Sequence, residues 1–346
     1  TQSLQEKLLR DLTQLFHSDL ENLPRSVMEG DDVSYPEKCL HELFRQQAKQ
    51  TPDKLAVADV NRQLTFKELD EKTDLLARYL QKQGVEVDSI VGIYMESCVE
   101  FVIAYLAILK ASGAYMPLEI AYPQELLGKV LTTAAPVAVL TKAAFSKSLP
   151  AEWRQNDRIL HMDDGWERTL RQIALPPLDE DRDLPTVDSL AYCVMTSGTT
   201  GAPKGILCPH RGAVNSYYWR YNHTPYQKDE REACNVFLVW EVIRPILQGY
   251  PSFIIPDEII YDPRKLVPFL EKHRITRVLF TPSLLEQVLN THGLDLQNRL
   301  SHLQIVWLNG EVVPTALQAR FFALFPRVRL LNDYSISECH DVCTHD

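Results

Sequence analysis

The string MTSGTTGAPKG, residues 195–205, has the composition of a site for phosphate oxygens. Gly198, Gly201 and Gly205 permit a tight loop with inward-facing amides, and four hydroxyls, on Thr196, Ser197, Thr199 and Thr200, add donors. Lys204 supplies one mobile positive charge. The run follows directly on an apolar, strand-like stretch at 190–196, which sets it apart from an ordinary Gly/Ser/Thr surface loop. It is not a Walker loop, because Pro203 precedes the lysine and the six-residue Gly-to-Gly-Lys spacing is missing.

Several other groups could do chemistry, and most have a blander reading. Cys339, His340, Cys343 and His345 place thiols and imidazoles at short spacing, but one short cluster lacks the second half of a usual zinc site. His210, in CPHRG, reads as a packing residue at the start of a helix. The acidic run 178–183 reads as a solvated linker. Tyr217, Tyr218, Trp219 and Tyr221 form an aromatic run that could be core or could line a pocket.

These groups need elements to hold them. Helix-period segments at 66–82, 98–111, 263–273, 282–291 and 314–323 alternate with strand-like runs. The strand candidates are 55–60, 89–94, 136–140, 190–196, 252–255, 277–280, 304–308 and 328–331. Such alternation predicts an α/β fold of two stacked lobes with mostly parallel sheets. A Pro- and acid-rich break near 163–188 is expected to join the lobes. Leu4, Leu8, Leu12, Leu15 and Phe16 share one helical face, so residues 1–34 read as an amphipathic helical extension plus a polar linker, with the main domain at 35–346.

Composition narrows the partners. The chain has 346 residues, 45% hydrophobic and 24% charged, as an ordinary globular protein has. Its net charge of −10 gives no basic field for nucleic acid or an anionic membrane. The longest apolar run, 101–109, is too short to span a bilayer, and the N-terminus lacks the pattern of a signal peptide. Seven cysteines without regular spacing suggest reduced thiols and a cytoplasmic location.

The loop at 195–205 closely resembles the signature of the adenylate-forming superfamily, which includes acyl-CoA synthetases, luciferases and the adenylation domains of nonribosomal peptide synthetases. LTFKELDEKTDLLARYL (64–80), LKASGAYMPLEIAYPQELL (109–127) and NDYSISE (332–338), in that order, resemble an adenylation domain of the last type or a relative. The resemblance runs from about Leu40 to the end. It implies ATP and Mg²⁺ as cofactors, with Thr196, Ser197, Gly198, Thr199, Thr200, Gly201 and Lys204 around the triphosphate. It also implies Asn332 on the adenine edge, Tyr334 on its face, Asp333 nearby, Ser337 at the α-phosphate and Glu338 on Mg²⁺. Gly310 and Glu311 resemble the turn lining the adenine pocket. Lys204, Thr199 and Glu338 would carry catalysis. Ser335 and Ile336 replace the usual Gly-Pro, so a slightly different turn is expected there. The implied reaction is attack of a carboxylate on the α-phosphorus of ATP with release of pyrophosphate.

In amino-acid-activating relatives, an Asp four residues before a Trp-Glu pair anchors the substrate's α-ammonium. Here Trp240 and Glu241 fit the pair and Val236 stands at the anchor. Phe237, Leu238 and Val239 are not acidic either, and Glu232 is the nearest upstream acid, one helical turn away. The acid is therefore expected to lack a conventionally bound α-ammonium. The remaining pocket positions carried over are Phe237, Trp240, Leu279, Trp307, Asn309, Asp333 and Asp341. Aromatic faces beside carboxylates suit a quaternary ammonium, as in glycine betaine; the same aromatics could simply fill core volume.

The resemblance extends to carboxylic acid reductases, in which carrier and reductase domains follow adenylation. It implies a phosphopantetheine-bearing carrier as partner and a C-terminal lobe, with a second Lys, beyond Asp346. On that expectation the chain is a fragment that turns over poorly. The alternatives are an amino-acid-activating module, an acyl- or aryl-CoA ligase, and a non-catalytic binding fragment.

Overall fold

The apolar runs become strands buried on both faces, and the helical segments cover them. The computed structural model describes residues 33–154, 157–178, 184–197, 203–235, 241–336 and 340–345. By its contacts the chain divides into Thr1–Tyr35 and Pro36–Asp346, and the architecture below is that of the second unit. The helix expected at 4–20 lies outside the described residues.

The strands are β1 (Leu55–Ala58), β2 (Gln63–Thr65), β3 (Ile90–Tyr94), β4 (Ala114–Pro117), β5 (Ala138–Thr141), β6 (Ile159–His161) and β7 (Leu190–Ser197). They continue with β8 (Pro203–Pro209), β9 (Glu232–Cys234), β10 (Ser252–Ile254), β11 (Arg277–Phe280), β12 (Ile305–Asn309), β13 (Arg329–Ile336) and β14 (His340–His345). The longer helices are α1 (Leu40–Gln50), α2 (Phe66–Lys82), α3 (Val99–Lys110), α4 (Gln124–Ala134), α5 (His210–His223), α6 (Pro263–Lys272), α7 (Pro282–Asn290) and α8 (Thr315–Leu324).

Two sheets result, one of eight strands in the order β14-β13-β12-β11-β9-β10-β1-β2 and one of six in the order β6-β5-β3-β4-β7-β8. Every pairing is parallel except β1–β2, β13–β14 and β7–β8. Parallel pairing with covered faces explains why β5, β11 and β12 are buried along their whole length. Helix α3 contacts β3, β4 and β1, so it touches both sheets. All of its residues are buried, which accounts for the apolar run at 101–109: it is a core helix. Among the described residues no helix is long and apolar enough to cross a membrane.

The expected lobe break near 163–188 falls inside the six-stranded sheet, since β7 beyond it pairs with β4 before it. The chain changes sheet elsewhere, between β2 and β3 and again between β8 and β9. A proline-rich connection marks a surface crossing, and that crossing returns to the same sheet. At the carboxyl ends of the strands the sheets are tied by Asp257, which accepts from Ser97 and from the Asn235 side chain (2.9 Å). Open α/β sheets place ligands at this end.

Candidate functional site

The phosphate loop closes a hairpin. Thr196 pairs with Lys204 and Ser197 with Pro203 in the antiparallel β7–β8 ladder. Residues 198–202, including Gly198, Thr199, Thr200 and Gly201, lie outside the described residues. Helix α5 begins only after β8, so no helix N-terminus opens directly from the loop as it does in a Walker motif. Gly205 lies within β8, and a Cβ there would stand 3.1 Å from the Cys193 sulfur. Its role is close packing against β7. Thr196 is half-buried and Lys204 exposed.

Strand alternation sorts the residues expected around adenine. Asn332 and Tyr334 are exposed on one face of β13, while Asp333 between them is 2% exposed on the other. Tyr334, 60% exposed, offers an open ring face. Asp333, expected both near the nucleotide and in the acid pocket, therefore faces away from Asn332 and Tyr334. Gly310 turns the chain off β12 at φ +88°, a conformation that favours glycine. The Glu311 carboxylate accepts from the Ser283 amide (2.9 Å) and hydroxyl (2.8 Å), so it is engaged at the N-terminus of α7. Ser337 and Glu338 lie outside the described residues; Ile336 pairs with His340 on either side of them. Where a slightly different turn was expected, β13 instead continues through Ser335 and Ile336, and the Ser335 hydroxyl bonds the Asn309 side chain.

Leu279, Trp307, Asn309, Asp333 and Asp341 come together on neighbouring strands. Leu279 is in register with Trp307 and Asn309 with Asp333, and β14 brings Asp341 alongside. Val236, Phe237 and Trp240 lie outside the described residues. Of the three aromatics read as a cage or as core filling, Trp307 alone is among the described residues, and it offers no open face. Trp307 is fully buried, and the Arg220 guanidinium carbon sits 4.4 Å from its ring centroid. Arg220 Nη2 donates to Asp333 (2.9 Å) and Asp341 (2.7 Å), Nε to Asp341 (2.9 Å) and Nη1 to Glu241 (3.0 Å). A planar guanidinium can stack and fork at once, so this side chain satisfies the indole face and three carboxylates together. Arg220, inside the aromatic run 217–221, was not among the expected site residues. The available signal was a lone arginine one helical turn after Ser216, whose hydroxyl also bonds Asp341.

Glu232, weighed above as a helical neighbour of the anchor, lies on β9 and is taken by the Arg244 guanidinium and the Tyr226 hydroxyl. Arg244 Nε also donates to Glu241 (2.9 Å). Four buried carboxylates thus face two guanidinium groups. Burial pushes Asp333 up to about 7, with the Asp341 charge adding and Arg220 opposing. Burial also acts to raise Asp341, but the charge and hydrogen bonds of Arg220, with bonds from Asp333 and Ser216, hold it well below the ordinary carboxylate range.

His340 joins the two parts of the site. It is 3% exposed at φ +62°, and its Nε2 bonds the Tyr192 hydroxyl on β7. Burial pushes its pKa down to about 4. Cys343 and His345, the other described members of that cysteine–histidine string, are exposed. A closer metal-like trio is Cys39, His41 and His210, all buried and within 4.8 Å. His210 Nδ1, however, accepts from the Leu40 amide (3.2 Å), which leaves the proton on Nε2, and both histidines sit in first turns of helices. His210 therefore acts as a clamp between α1 and α5. A cavity of about 650 Å³ is bordered by Arg62, Glu96, Glu100 and Lys142, whose cations are already paired, and by none of the expected nucleotide residues.

The chain is thus built on two mostly parallel α/β sheets, with a hydroxyl-rich string joining β7 to β8 and an exposed tyrosine on β13. Residues 44–346 match the AMP-binding enzyme family, and the chain belongs to it. It is 41% identical over 310 residues to glycine betaine reductase ATRR of Emericella nidulans, covering 89% of this chain and 24% of that protein. It is 31% identical over 349 residues to tyrocidine synthase 3 of Brevibacillus parabrevis, covering 98% of this chain and 5% of the relative. The chain thus spans a quarter or less of these relatives. Among solved structures it is similar to an AMPPNP-bound form of the nonribosomal peptide synthetase FmoA3, with TM-score 0.79, 25% identity, and coverage of 93% of this chain and 34% of that one.

Proposed function

We propose that this chain is the core of an adenylation domain that activates a carboxylic acid as its acyl-adenylate, and that the acid is of the betaine type. An oxygen of the acid's carboxylate attacks the α-phosphorus, the bond to the bridging oxygen breaks, and pyrophosphate leaves. Lys204 and Thr196, paired across the β7–β8 ladder, flank the loop where phosphate charge would be held, with Ser197, Thr199 and Thr200 between them in sequence. Tyr334 and Asn332 present a stacking face and a polar edge to adenine. Such catalysis is alignment and charge neutralisation, which needs no covalent nucleophile. Glu338 is the carboxylate that would hold Mg²⁺, a hard cation whose charge would offset the phosphate oxygens.

The observation that carries the cationic acid is a surplus of buried carboxylate: among the described residues, the cations paired with Asp333, Asp341, Glu241 and Glu232 are those of Arg220 and Arg244. A buried negative surplus favours a ligand that brings positive charge without needing a hydrogen-bond anchor at Val236. The 41% identical glycine betaine reductase supports the same class. We further read the chain as part of a longer cytoplasmic protein whose carrier domain receives the acyl group on a phosphopantetheine thiol, with a reductase domain beyond.

ATP–pyrophosphate exchange tests the reading. Glycine betaine should drive exchange better than glycine, and glycine performing best would sink the betaine class. Lys204→Ala should lower exchange by about 10²–10³-fold, the scale of losing one transition-state donor. Its melting temperature should not move, because the side chain is exposed.

A further inference from the structure

Arg220 does more than fill space against Trp307, and what it does rests on the adenylation of a cationic acid proposed above. Its Nη2 nitrogen lies 2.9 Å from Asp333 and 2.7 Å from Asp341, so one donor holds both carboxylates together. Both side chains are removed from water, 0% and 5% exposed. Asn309 (2.6 Å) and Thr344 (2.7 Å) donate to Asp333 from the adjoining strands. Two carboxylates that share one guanidinium in a dry site cannot both keep full charge at little cost.

We propose that Asp333 and Asp341, positioned by Arg220, are a proton-holding pair that determines specificity: the positive charge of a bound acid replaces the proton, and a neutral acid of the same shape does not. Direct contact is not required, because a charge a few ångströms away in a low-dielectric pocket favours the ionised carboxylate. The proton belongs on Asp333, where burial dominates, while Asp341 takes more of the Arg220 bonds. Among the described residues, the other titratable groups around the pair do not compete. Glu241 and Arg244 lie across Arg220 and are bonded to it or to each other. On β14, His340 is held neutral by burial, and on β7 burial pushes the Tyr192 phenol upward.

The test compares glycine betaine with its carbon isostere 3,3-dimethylbutanoate, by calorimetric titration between about pH 5.5 and 8.5. A proton held in the free protein opposes the cation, so betaine should bind about tenfold tighter per pH unit up to neutrality and then level off. Titrations in two buffers of different ionisation enthalpy should report release of about one proton with betaine below neutrality. The isostere should show neither effect. Asp333→Asn keeps an oxygen for Arg220 and Asn309 and turns its amide to the Thr344 hydroxyl, so it should fold while losing the pH slope. Arg220→Lys cannot bridge both carboxylates and should move the midpoint to higher pH. Equal slopes for the two ligands, or a slope surviving Asp333→Asn, would overturn the proposal. If neither ligand binds, the betaine reading fails instead, and the pair is then decided by ¹³C NMR of aspartate carboxyls in the free protein. A resonance titrating near neutrality and absent in Asp333→Asn upholds the pair; none titrating there overturns it.

Discussion

The two faces of β13 are built on opposite principles. On one, Asn332 and Tyr334 stand exposed, as Lys204 does on β8, each side chain open to a ligand. On the other, Asp333 is locked with Asp341, Glu241 and Arg220 in a network whose members satisfy one another. An open face can lose a residue and lose only binding or rate. A mutually saturated face loses stability first, because each partner removed leaves a buried charge alone.

The largest effect should therefore come from Arg220→Met. It removes the guanidinium from three carboxylates and from the Trp307 ring. Breaking a buried ion network by deleting one partner costs about 3–5 kcal/mol. The urea midpoint should fall accordingly, before any kinetic effect is read. A midpoint within about 1 kcal/mol of the parent would mean that the network is not structural, and the contrast between the faces would collapse.

On the open face the corresponding change is Tyr334→Ala. Loss of a stacking ring is worth about 1–1.5 kcal/mol, roughly tenfold in the KM for ATP. Tyr334→Phe keeps the ring and should recover most of that loss, and neither variant should shift the melting temperature, since the ring is 60% exposed. A shift in stability instead would show that the ring packs against the protein.

The same contrast explains what could be read before the fold was known. Where one physical signal dominates, sequence and structure agree closely: α2 spans 66–82 as its periodicity predicts, and β11 spans 277–280. Strand β8 was not foreseen because Pro203 and Gly205 read as loop residues; an edge strand tolerates both. Strand β13 runs beyond its expected end at 331 because the polar residues from Asn332 onward continue a ladder with β14, which apolar content alone does not signal. The phosphate hairpin was legible because its chemistry is local in the chain. The acid pocket was legible only in part, since Arg220 acts on residues 21, 113 and 121 positions away. No spacing rule reaches that far. The aromatics and acids pointed to a cation, and the protein supplies one of its own there.

His340 is where the two faces meet, and the smallest predicted effect tests whether they are coupled. Its ring bonds Tyr192, four residues before Thr196 on the strand leading to the phosphate hairpin, and its backbone leads directly into Asp341. Helix α5 passes close on the other side: a Cβ at Gly212 would stand 3.0 Å from the His340 Cε1 atom. The ring cannot easily retreat, being held by Tyr192, and the backbone at φ +62° has little freedom to follow. Gly212→Ala gains about 1 kcal/mol of helix propensity and loses about 1–3 kcal/mol to overpacking. The net change in stability should be about 1 kcal/mol or slightly more, in the destabilising direction. The informative readout is kinetic. If His340 transmits its displacement to both sides, the KM values for ATP and for the acid should rise together, each by about two- to threefold. A rise in one alone would show that the hairpin and the charge network are set independently, and that His340 only fills the gap between them.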